Sequence, residues 1–312
     1  MTSASVAHEY WTKKGEIDLY IYRKYQGSPQ NKPILFLVHG SSLSSRPGYD
    51  IQVPGRGSDY SMMDQCAAAG FDVWTMDHEG YGRSSRSNRN SDVAMAVGDI
   101  DAAMGIIKRE TGKSIVHIYG QSGGALRAAM FAQMRPQNVD RVVLDAFVWT
   151  GEGSPTLAKR REKLDQWRSS PTRLIDASFM HSIFTRDKPG TSEMIVADAV
   201  AAEELKLGST MPTGTYLDMC AHLPLIDPLK LQCPVQIIRG EHDGIATIDD
   251  LLAFFGKLPN ADKQFSVLPG SAHIAQFGLN AARARNSPDA AQTVTVSPAC
   301  GLPLTDATAP SS

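Results

Sequence analysis

The chain has 312 residues, of which 42% are hydrophobic and 21% charged, so it is long enough for one large core or two modest domains. Its net charge of −2 gives no electrostatic reason to expect nucleic acid or an anionic membrane as a partner. No apolar run approaches the ~18 residues of a membrane helix, and the N-terminal segment lacks the apolar core of a signal peptide. We therefore expect a soluble, cytoplasmic protein.

The first part of the chain predicts a hairpin, and the remainder predicts a parallel sheet. Residues 9–13 and 17–25 are extended runs separated by Lys14-Gly15, which favours an antiparallel hairpin. From Pro33 onward the chain contains six short, nearly continuous apolar runs: PILFLVHG, FDVWTMDHEG, SIVHIYG, RVVLDAF, VQIIRGEHDG and KQFSVLP. Continuous apolarity is typical of strands covered on both faces, hence of a mostly parallel sheet.

Helical patterns fall between these runs, at residues 59–70, 91–111 and 248–258. Strands alternating with helices predict a doubly wound α/β fold. Almost ninety residues without strand patterning separate the runs ending at Phe147 and starting at Val235. This is too long for a simple crossover, so we expect an inserted α-helical cap at 151–215. The core would then comprise 1–150 and 216–285, and the Pro/Ala/Ser/Thr-rich tail, 286–312, would be loosely ordered.

Candidate functional residues follow the predicted strands, because ligands of open parallel sheets bind outside the carboxyl ends of the strands. Ser122, Asp243 and His273 occur there in chain order. A serine hydroxyl becomes a nucleophile when a base takes its proton, and an imidazole serves that role near neutral pH. A carboxylate then fixes the tautomer of the imidazole and stabilises its cation.

Ser122 lies in Gly120-Gln121-Ser122-Gly123-Gly124, between a predicted strand and a predicted helix. Gly-x-Ser-x-Gly in this context is the nucleophile elbow, a strained turn that exposes the hydroxyl. The neighbouring amide, that of Gly123 or of Gln121, would approach the oxyanion, and the residue after the nucleophile, Gly123, is the expected donor. A plain glycine-rich corner is the alternative, since short motifs recur by chance.

Five motifs in order give the chain a resemblance to the α/β-hydrolase superfamily across about residues 30–280: LVHGSS, DHEGYGRS, GQSGG, GEHDG and GSAH. The chain looks like a serine esterase-like member with a helical cap. The resemblance implies Ser122 as nucleophile, Asp243 as acid and His273 as base, with a second oxyanion-hole amide from Ser41. Haloalkane dehalogenases and epoxide hydrolases of this fold carry an aspartate at the elbow, so Ser122 disfavours both chemistries.

Several residues keep a second interpretation. Asp145 also ends a strand after the nucleophile and competes for the role of acid, whereas Asp243 could be only a helix N-cap. His39 is expected to hold loops together. The histidines show no metal-ligand spacing, and the four cysteines are far apart without a CxxC pair, so we expect no metal, no cofactor and no disulfide framework.

Substrate contacts are predicted where the chain enters or leaves the cap. Phe147, Trp149 and Tyr216 lie there, and we expect at least one of them to contact substrate, with Ser42 and Gln121 beside the nucleophile. The segment 43–58 is long for a βα loop and enters beside the oxyanion hole. Its Arg46 and Arg56 either meet an acidic substrate or are solvated loop arginines.

The predicted function is hydrolysis of a small or medium carboxylic ester through an acyl-enzyme intermediate. Esters are favoured as the commonest substrates of this fold, which is an argument by analogy. The same residues serve lactone hydrolases and C–C bond hydrolases of diketones, which form the alternative. A non-catalytic small-molecule receptor is a further one. The sequence does not specify the oligomeric state.

Overall fold

A central eight-stranded sheet organises the computed structural model, which describes residues 5–280. The strand order is β1-β2-β4-β3-β5-β6-β9-β10. These strands are β1 (Val6–Lys14), β2 (Ile17–Tyr25), β3 (Ile34–Val38), β4 (Asp72–Met76), β5 (Val116–Gln121), β6 (Val139–Asp145), β9 (Val235–Gly240) and β10 (Lys263–Leu268). The predicted tail at 286–312 lies outside the described residues.

The sheet is mostly parallel, as the continuous apolar runs predict. From β4 through β3, β5, β6 and β9 to β10, every neighbouring pair is parallel. The pairs β1–β2 and β2–β4 are antiparallel. Lys14 pairs with Ile17, so the predicted hairpin is present and turns at Gly15, where φ is +60°. Carboxyl ends of the six parallel strands therefore meet at one edge, where ligands bind in such sheets.

Helices cover both faces of the sheet. They are α1 (Ser45–Tyr49), α2 (Met62–Ala68), α3 (Met95–Thr111), α4 (Gly123–Met134), α5 (Pro155–Arg161), α6 (Leu164–Ser169), α7 (Ala177–Thr185), α8 (Met194–Leu207), α9 (Gly214–Ala221) and α10 (Ile248–Lys257). Short 3₁₀ turns occupy Pro136–Asn138, Pro228–Lys230 and Ala275–Phe277. Local chemistry sets several ends: Ser61 and Thr247 cap α2 and α10, and Gly112 stops α3 at φ +75°.

Strand β3 shows why the apolar runs are continuous. Ile34, Phe36 and Val38 belong to a core cluster with side chains of α3 and α4, whereas Leu35 and Leu37 belong to a cluster with side chains of α2. Successive side chains of a strand point to opposite faces, so a strand covered on both faces needs apolar residues at every position. All five residues of β3 are buried.

The insertion, defined as residues 146–234 between β6 and β9, holds α5 to α9 and a second, two-stranded sheet. Its antiparallel strands, β7 (Thr172–Leu174) and β8 (Thr210–Pro212), were not predicted, because three residues are too few to show an alternating pattern. Helix α8 is joined to the loop after β3 by Glu204, which accepts hydrogen bonds from the amide and hydroxyl of Ser44. The limits of 151 and 215 for a separate cap remain a prediction.

Among the described residues, no helix has both the length and the apolarity required to cross a membrane. The predicted cytoplasmic location remains a prediction.

The close approach of α4 to β3 makes a prediction about stability. A Cβ at Gly124 would lie 2.0 Å from the carbonyl oxygen of Val38, so Gly124→Ala forces the helix and the strand apart. We expect a loss of about 2 kcal/mol or more in the free energy of unfolding. Gly105→Ala is the matched control, because Gly105 is an exposed position inside α3 with nothing within 4 Å.

Removing a helix-interior glycine should stabilise the protein by about 0.5–1 kcal/mol, so the two Gly→Ala substitutions should have opposite signs in denaturant unfolding. Equal stabilities of the two variants would contradict the packing described for α4.

Candidate active site

Ser122 occupies a strained turn between β5 and α4. Its backbone has φ +58° and ψ −122°, a conformation that non-glycine residues rarely adopt. The amide of Ser122 donates to the carbonyl of Asp145 on the neighbouring strand, at 2.8 Å. A Cβ at Gly120 would lie 2.2 Å from the carbonyl oxygen of Gly124, so a side chain there is excluded. This geometry is that of the nucleophile elbow rather than of a plain glycine-rich corner.

Three predicted residues form one hydrogen-bonded line. The Oγ of Ser122 lies 2.9 Å from Nε2 of His273, and Nδ1 of His273 lies 2.8 Å from Oδ1 of Asp243. All three side chains are buried. Ser122 follows β5, Asp243 follows β9 and His273 follows β10, so the parallel sheet brings together residues that are far apart in sequence.

The two candidate acids differ in their partners. Asp243 accepts from His273 and from the amide of Ile245, at 3.0 Å, whereas Asp145 accepts from the phenol of Tyr119, at 2.5 Å. Burial raises the pKa of Asp145 to about 7, against the opposing effect of the Tyr119 hydrogen bond. Burial also acts to raise the pKa of Asp243, but the charge and hydrogen bond of His273 outweigh it and lower that pKa. Asp243 is therefore the anionic partner of the imidazole.

The backbone amides of Ser41 and Gly123, the two candidate oxyanion donors, lie beside Ser122. An ideal Cβ placed on Gly123 would lie 3.3 Å from the nitrogen of Ser41, so the two residues are in direct contact. Neither amide donates a hydrogen bond to any group in the part of the chain that the structure describes. Two adjacent, unengaged amides beside a serine hydroxyl can stabilise a negatively charged oxygen.

A cavity of about 20 Å³ lies over Ser122 and His273, which is room for a single water molecule. Ser42 and Gln121 line it, and Gln121 also donates from Nε2 to the carbonyl of His273, at 3.0 Å. The insertion closes the cavity with side chains from α5 and from α7 and the turn after it, namely Arg160, Ile183 and Arg186.

Arginines of the insertion surround Tyr216 behind this cavity. The guanidinium carbons of Arg160 and Arg173 lie 4.2 and 4.1 Å from the centre of the Tyr216 ring. The hydroxyl of Tyr216 is 3.0 Å from Oγ of Ser42. Burial alone would raise the pKa of Tyr216, but the positive charges of Arg160, Arg173 and Arg186 outweigh it and lower that pKa to about 7.

Arg173 also ties the insertion to the candidate oxyanion hole. It donates from Nη2 to the carbonyl of Ser41, at 2.7 Å, and from Nη1 to the carbonyl of Pro212, at 2.8 Å. Strand β7 thereby fixes the position of the loop that carries the Ser41 amide.

Two of the residues considered as substrate contacts, Phe147 and Trp149, lie away from the cavity over Ser122. Phe147 is fully buried against Phe254 of α10, with ring centres 4.8 Å apart. Trp149 packs on the same ring and donates from Nε1 to the carbonyl of Ile226. Neither side chain lines the cavity, because both are held by packing against α10. Tyr216 reaches the cavity wall through Ser42.

The arginines of segment 43–58 also lie away from Ser122. Arg46 pairs with Glu9, and Arg56 pairs with Glu193. Arg46 lines a larger cavity, of about 320 Å³, between α1, α8 and β2. Neither arginine lines the small cavity over Ser122, so the geometry favours the interpretation as loop arginines.

Sequence reasoning missed Arg160, Arg173, Arg186 and Asp187 because all four belong to the insertion. Arg160 reads as part of the polar face of an amphipathic helix, and no motif marks the others. Their proximity to Ser122 depends on how α5, α7 and β7 pack, which local patterns do not specify. Only the basic run around Arg160 could have suggested an anion-binding wall.

Asp187, Asp243 and His273 bring candidate metal-ligand atoms within 4.8 Å of one another, the single such group in residues 5–280. Both ring nitrogens of His273 already have hydrogen-bond partners in Ser122 and Asp243. A metal ion at this place would have to displace one of those bonds, so the geometry fits a proton-transfer site better than a metal site.

The fold and the site together define an α/β-hydrolase: a mostly parallel eight-stranded sheet, helices on both faces, and a serine elbow facing a histidine and an aspartate from later strands. The family described as serine aminopeptidase, S33, matches residues 55–278, more than half of the chain. The chain belongs to this family.

Individual relatives are more distant. The 2-hydroxy-6-oxononadienedioate/2-hydroxy-6-oxononatrienedioate hydrolase 2 of Pseudomonas putida is 24% identical over 85% of this chain and 89% of its own. Among solved structures, the 2-hydroxy-6-oxo-6-phenylhexa-2,4-dienoate hydrolase of a Rhodococcus species has a TM-score of 0.62 at 18% identity, covering 90% of this chain and 97% of that one. A malate-bound esterase of Thermogutta terrifontis has a TM-score of 0.60 at 15% identity, covering 89% and 96%.

The lowered pKa of Tyr216 predicts a phenol that ionises near neutral pH. An ultraviolet difference titration should show one tyrosine ionising at about pH 7, and Tyr216→Phe should abolish that step. Tyr22→Phe is the control and should retain it, because burial raises the pKa of Tyr22.

The lowered pKa of Tyr216 also makes the stability of the folded protein depend on pH. The pKa of Tyr216 is about 7 in the folded protein and 10.0 as the ordinary value, so ionisation stabilises the fold increasingly as pH rises from 7 to 10. The stability difference between wild type and Tyr216→Phe should grow over that range. A wild-type protein without a tyrosine titration near neutral pH would contradict the arginine arrangement.

Proposed function

We propose that the protein is a serine-dependent hydrolase that cleaves a bond beside a carbonyl group in a small substrate carrying a carboxylate. The observation that carries this proposal is the hydrogen-bonded line from Ser122 through His273 to Asp243, at 2.9 and 2.8 Å. That arrangement also disfavours the alternative of a non-catalytic receptor, which has no need of it.

The geometry accounts for each proton. Ser122 Oγ attacks the carbonyl carbon while its proton passes to Nε2 of His273, and Nδ1–H of the resulting imidazolium donates to Asp243. The carbonyl oxygen gains the negative charge and accepts from the amides of Ser41 and Gly123. His273 then gives its proton to the leaving group, and a water molecule, activated by the same imidazole, releases the acyl product and restores the Ser122 hydroxyl.

The charge of the cavity wall supports an anionic substrate. Arg160 and Arg186 line the cavity next to Ser122 and His273. Within the described chain, Arg160 has no carboxylate partner: its guanidinium contacts the Tyr216 ring and, at 3.8 Å, the sulfur of Met219. Arg186 has only a 3.4 Å contact with Asp187. Guanidinium groups bind carboxylates in a charge-assisted, bidentate manner, so a substrate carboxylate would satisfy this wall.

The relatives support a C–C bond as the bond that is cleaved. The Pseudomonas relative is named for a dioate that contains a ketone and no ester, so its hydrolysis must break a carbon–carbon bond. We therefore place C–C bond hydrolysis of an oxo-carboxylate first. The carboxylic ester predicted from the sequence is the second candidate, since the same serine attack forms an acyl-enzyme from either substrate.

The class of enzyme is tested with a fluorophosphonate probe, which labels only an activated serine. Wild type should be labelled at Ser122. Ser122→Ala should abolish labelling and lower kcat by about 10⁴-fold or more, because the three residues act as a unit. Activity within tenfold of wild type in Ser122→Ala would remove Ser122 as the nucleophile.

Two isosteric substitutions separate the candidate acids. Asp243→Asn should slow labelling by about 10³- to 10⁴-fold, because an amide can hold the imidazole in the wrong tautomer. Asp145→Asn should have far less effect, since its carboxylate bonds Tyr119. The reverse ranking would transfer the role of acid to Asp145.

The substrate class is tested by substituting basic residues of α5. Arg160→Met should raise KM for an oxo-carboxylate by about 10- to 100-fold, the effect of losing a hydrogen bond to a charged group, with a smaller change for the corresponding methyl ester. Lys159→Met, which removes the same charge from an exposed position of the same helix, is the control and should leave both KM values unchanged. Parallel assays of a 2-hydroxy-6-oxo-dienoate and of nitrophenyl esters identify the bond. Equal effects of Arg160→Met on acid and methyl ester would contradict the carboxylate contact.

A further inference from the structure

Asp187 brings a second carboxylate to His273 from the insertion. It follows α7, and its side chain is 6% exposed. A carboxylate oxygen of Asp187 lies within 4.8 Å of a ring nitrogen of His273 and of a carboxylate oxygen of Asp243. Its own hydrogen bonds are long, at 3.3 Å to Oγ1 of Thr156 and 3.4 Å to Nε of Arg186. Asp187 therefore retains most of its capacity to interact with a neighbouring positive charge.

The position of Asp187 is fixed through Gly244, the residue after Asp243. A Cβ at Gly244 would lie 2.9 Å from Oδ1 of Asp187 and 2.9 Å from Oγ1 of Thr156, so a side chain is excluded there. The carbonyl of Gly244 accepts from Oγ of Ser154, at 3.0 Å, and from the amide of Thr156, at 3.2 Å. The start of α5 is thus docked on the loop that carries Asp243, and it holds Asp187 against the same loop.

Charged groups on several other elements also surround Asp187, Asp243 and His273. Arg186 lies beside both carboxylates and helps to lower the pKa of Asp243, after the larger effect of His273. Further charges come from the ends of strands and from α5: Asp145, Arg239 and Arg160. Arg186 contacts Asp187 at 3.4 Å and its positive charge acts on Asp243, so it offsets part of the repulsion between the two carboxylates before His273 takes up a proton.

We propose that Asp187 is a positioning residue that, together with Asp243, stabilises the imidazolium of His273 during catalysis. The inference rests on the proposed function, in which His273 becomes positively charged as Ser122 attacks. Asp243 fixes the orientation of the ring by a direct hydrogen bond, whereas Asp187 acts on the charge from outside that bond. The insertion thereby contributes to the chemistry as well as to the cavity wall.

The test measures the rate of Ser122 labelling by a fluorophosphonate as a function of pH, which needs no knowledge of the substrate. Asp187→Asn should slow labelling about tenfold and move the acid limb of the pH profile to lower pH, because a negative charge that favours the protonated imidazole is lost. Asp187→Glu should recover the rate to within about threefold. Asp198→Asn is the matched control: it neutralises an exposed carboxylate of α8 paired with His181, and it should change neither rate nor profile.

Combination with Asp243→Asn separates a shared electrostatic role from a structural one. If both carboxylates act on one imidazole, Asp187→Asn should cost at least threefold more in the Asp243→Asn background than in wild type, because the remaining carboxylate then stands alone. Equal fold-changes in the two backgrounds, or an unshifted acid limb in Asp187→Asn, would overturn the proposal. If Asp187→Asn does not fold, Asp187→Ser is measured by the same criteria.

Labelling of the wild-type protein at Ser122 distinguishes a failure of the role of Asp187 from a failure of the proposed hydrolase function. A wild-type protein that is not labelled at Ser122 overturns the proposed hydrolase and the inference with it. A labelled wild type whose rate and pH profile are matched by Asp187→Asn overturns only the role of Asp187.

Discussion

The strained backbone of Ser122 is the constraint on which the rest of the site depends. Its φ of +58° is maintained because β5, β3 and α4 meet where only glycine fits, at Gly120 and Gly124. The same contact places the amides of Gly123 and Ser41 side by side and aims the hydroxyl at His273. A strained backbone conformation of this kind persists only where several surrounding elements enforce it, and here two strands and a helix do so.

The sequence predicts the parallel sheet and the hydrogen-bonded line well, because both depend on local patterns. Continuous apolar runs mark the buried strands, and Ser122, Asp243 and His273 directly follow such runs. The sequence could not specify the orientation of Phe147 and Trp149, because an aromatic residue after a strand can turn toward a pocket or toward the neighbouring helix, and here packing against α10 decides it. The strands β7 and β8 and the residues of the insertion near Ser122 depend on long-range packing, which no short window contains.

The two parts of the chain contribute mostly opposite charges to the site. The strand ends of the sheet supply the carboxylates of Asp243 and Asp145, whereas most of the cationic groups near Tyr216 come from the insertion. Burial lowers the pKa of Arg160, and the positive charges of Arg186 and Arg173 add to that effect. Burial alone would raise the pKa of Tyr216, but the same cluster of arginines stabilises its ionised form and lowers that pKa. Asp187 is an exception to this distribution of charge. It is a carboxylate of the insertion, and it lies beside Asp243, which follows strand β9 of the sheet.

The small volume over Ser122 has a kinetic consequence. A cavity of about 20 Å³ holds a water molecule, and an oxo-acid or an ester is many times larger. Entry therefore requires Arg160, Ile183 and Arg186 to move, and α5 and α7, which carry or precede these residues, pack on α9 and α8 of the insertion. Each turnover then contains an opening and a closing step in addition to chemistry, and in many enzymes such a step sets kcat. Solvent viscosity would slow a reaction limited by opening and leave one limited by bond cleavage untouched.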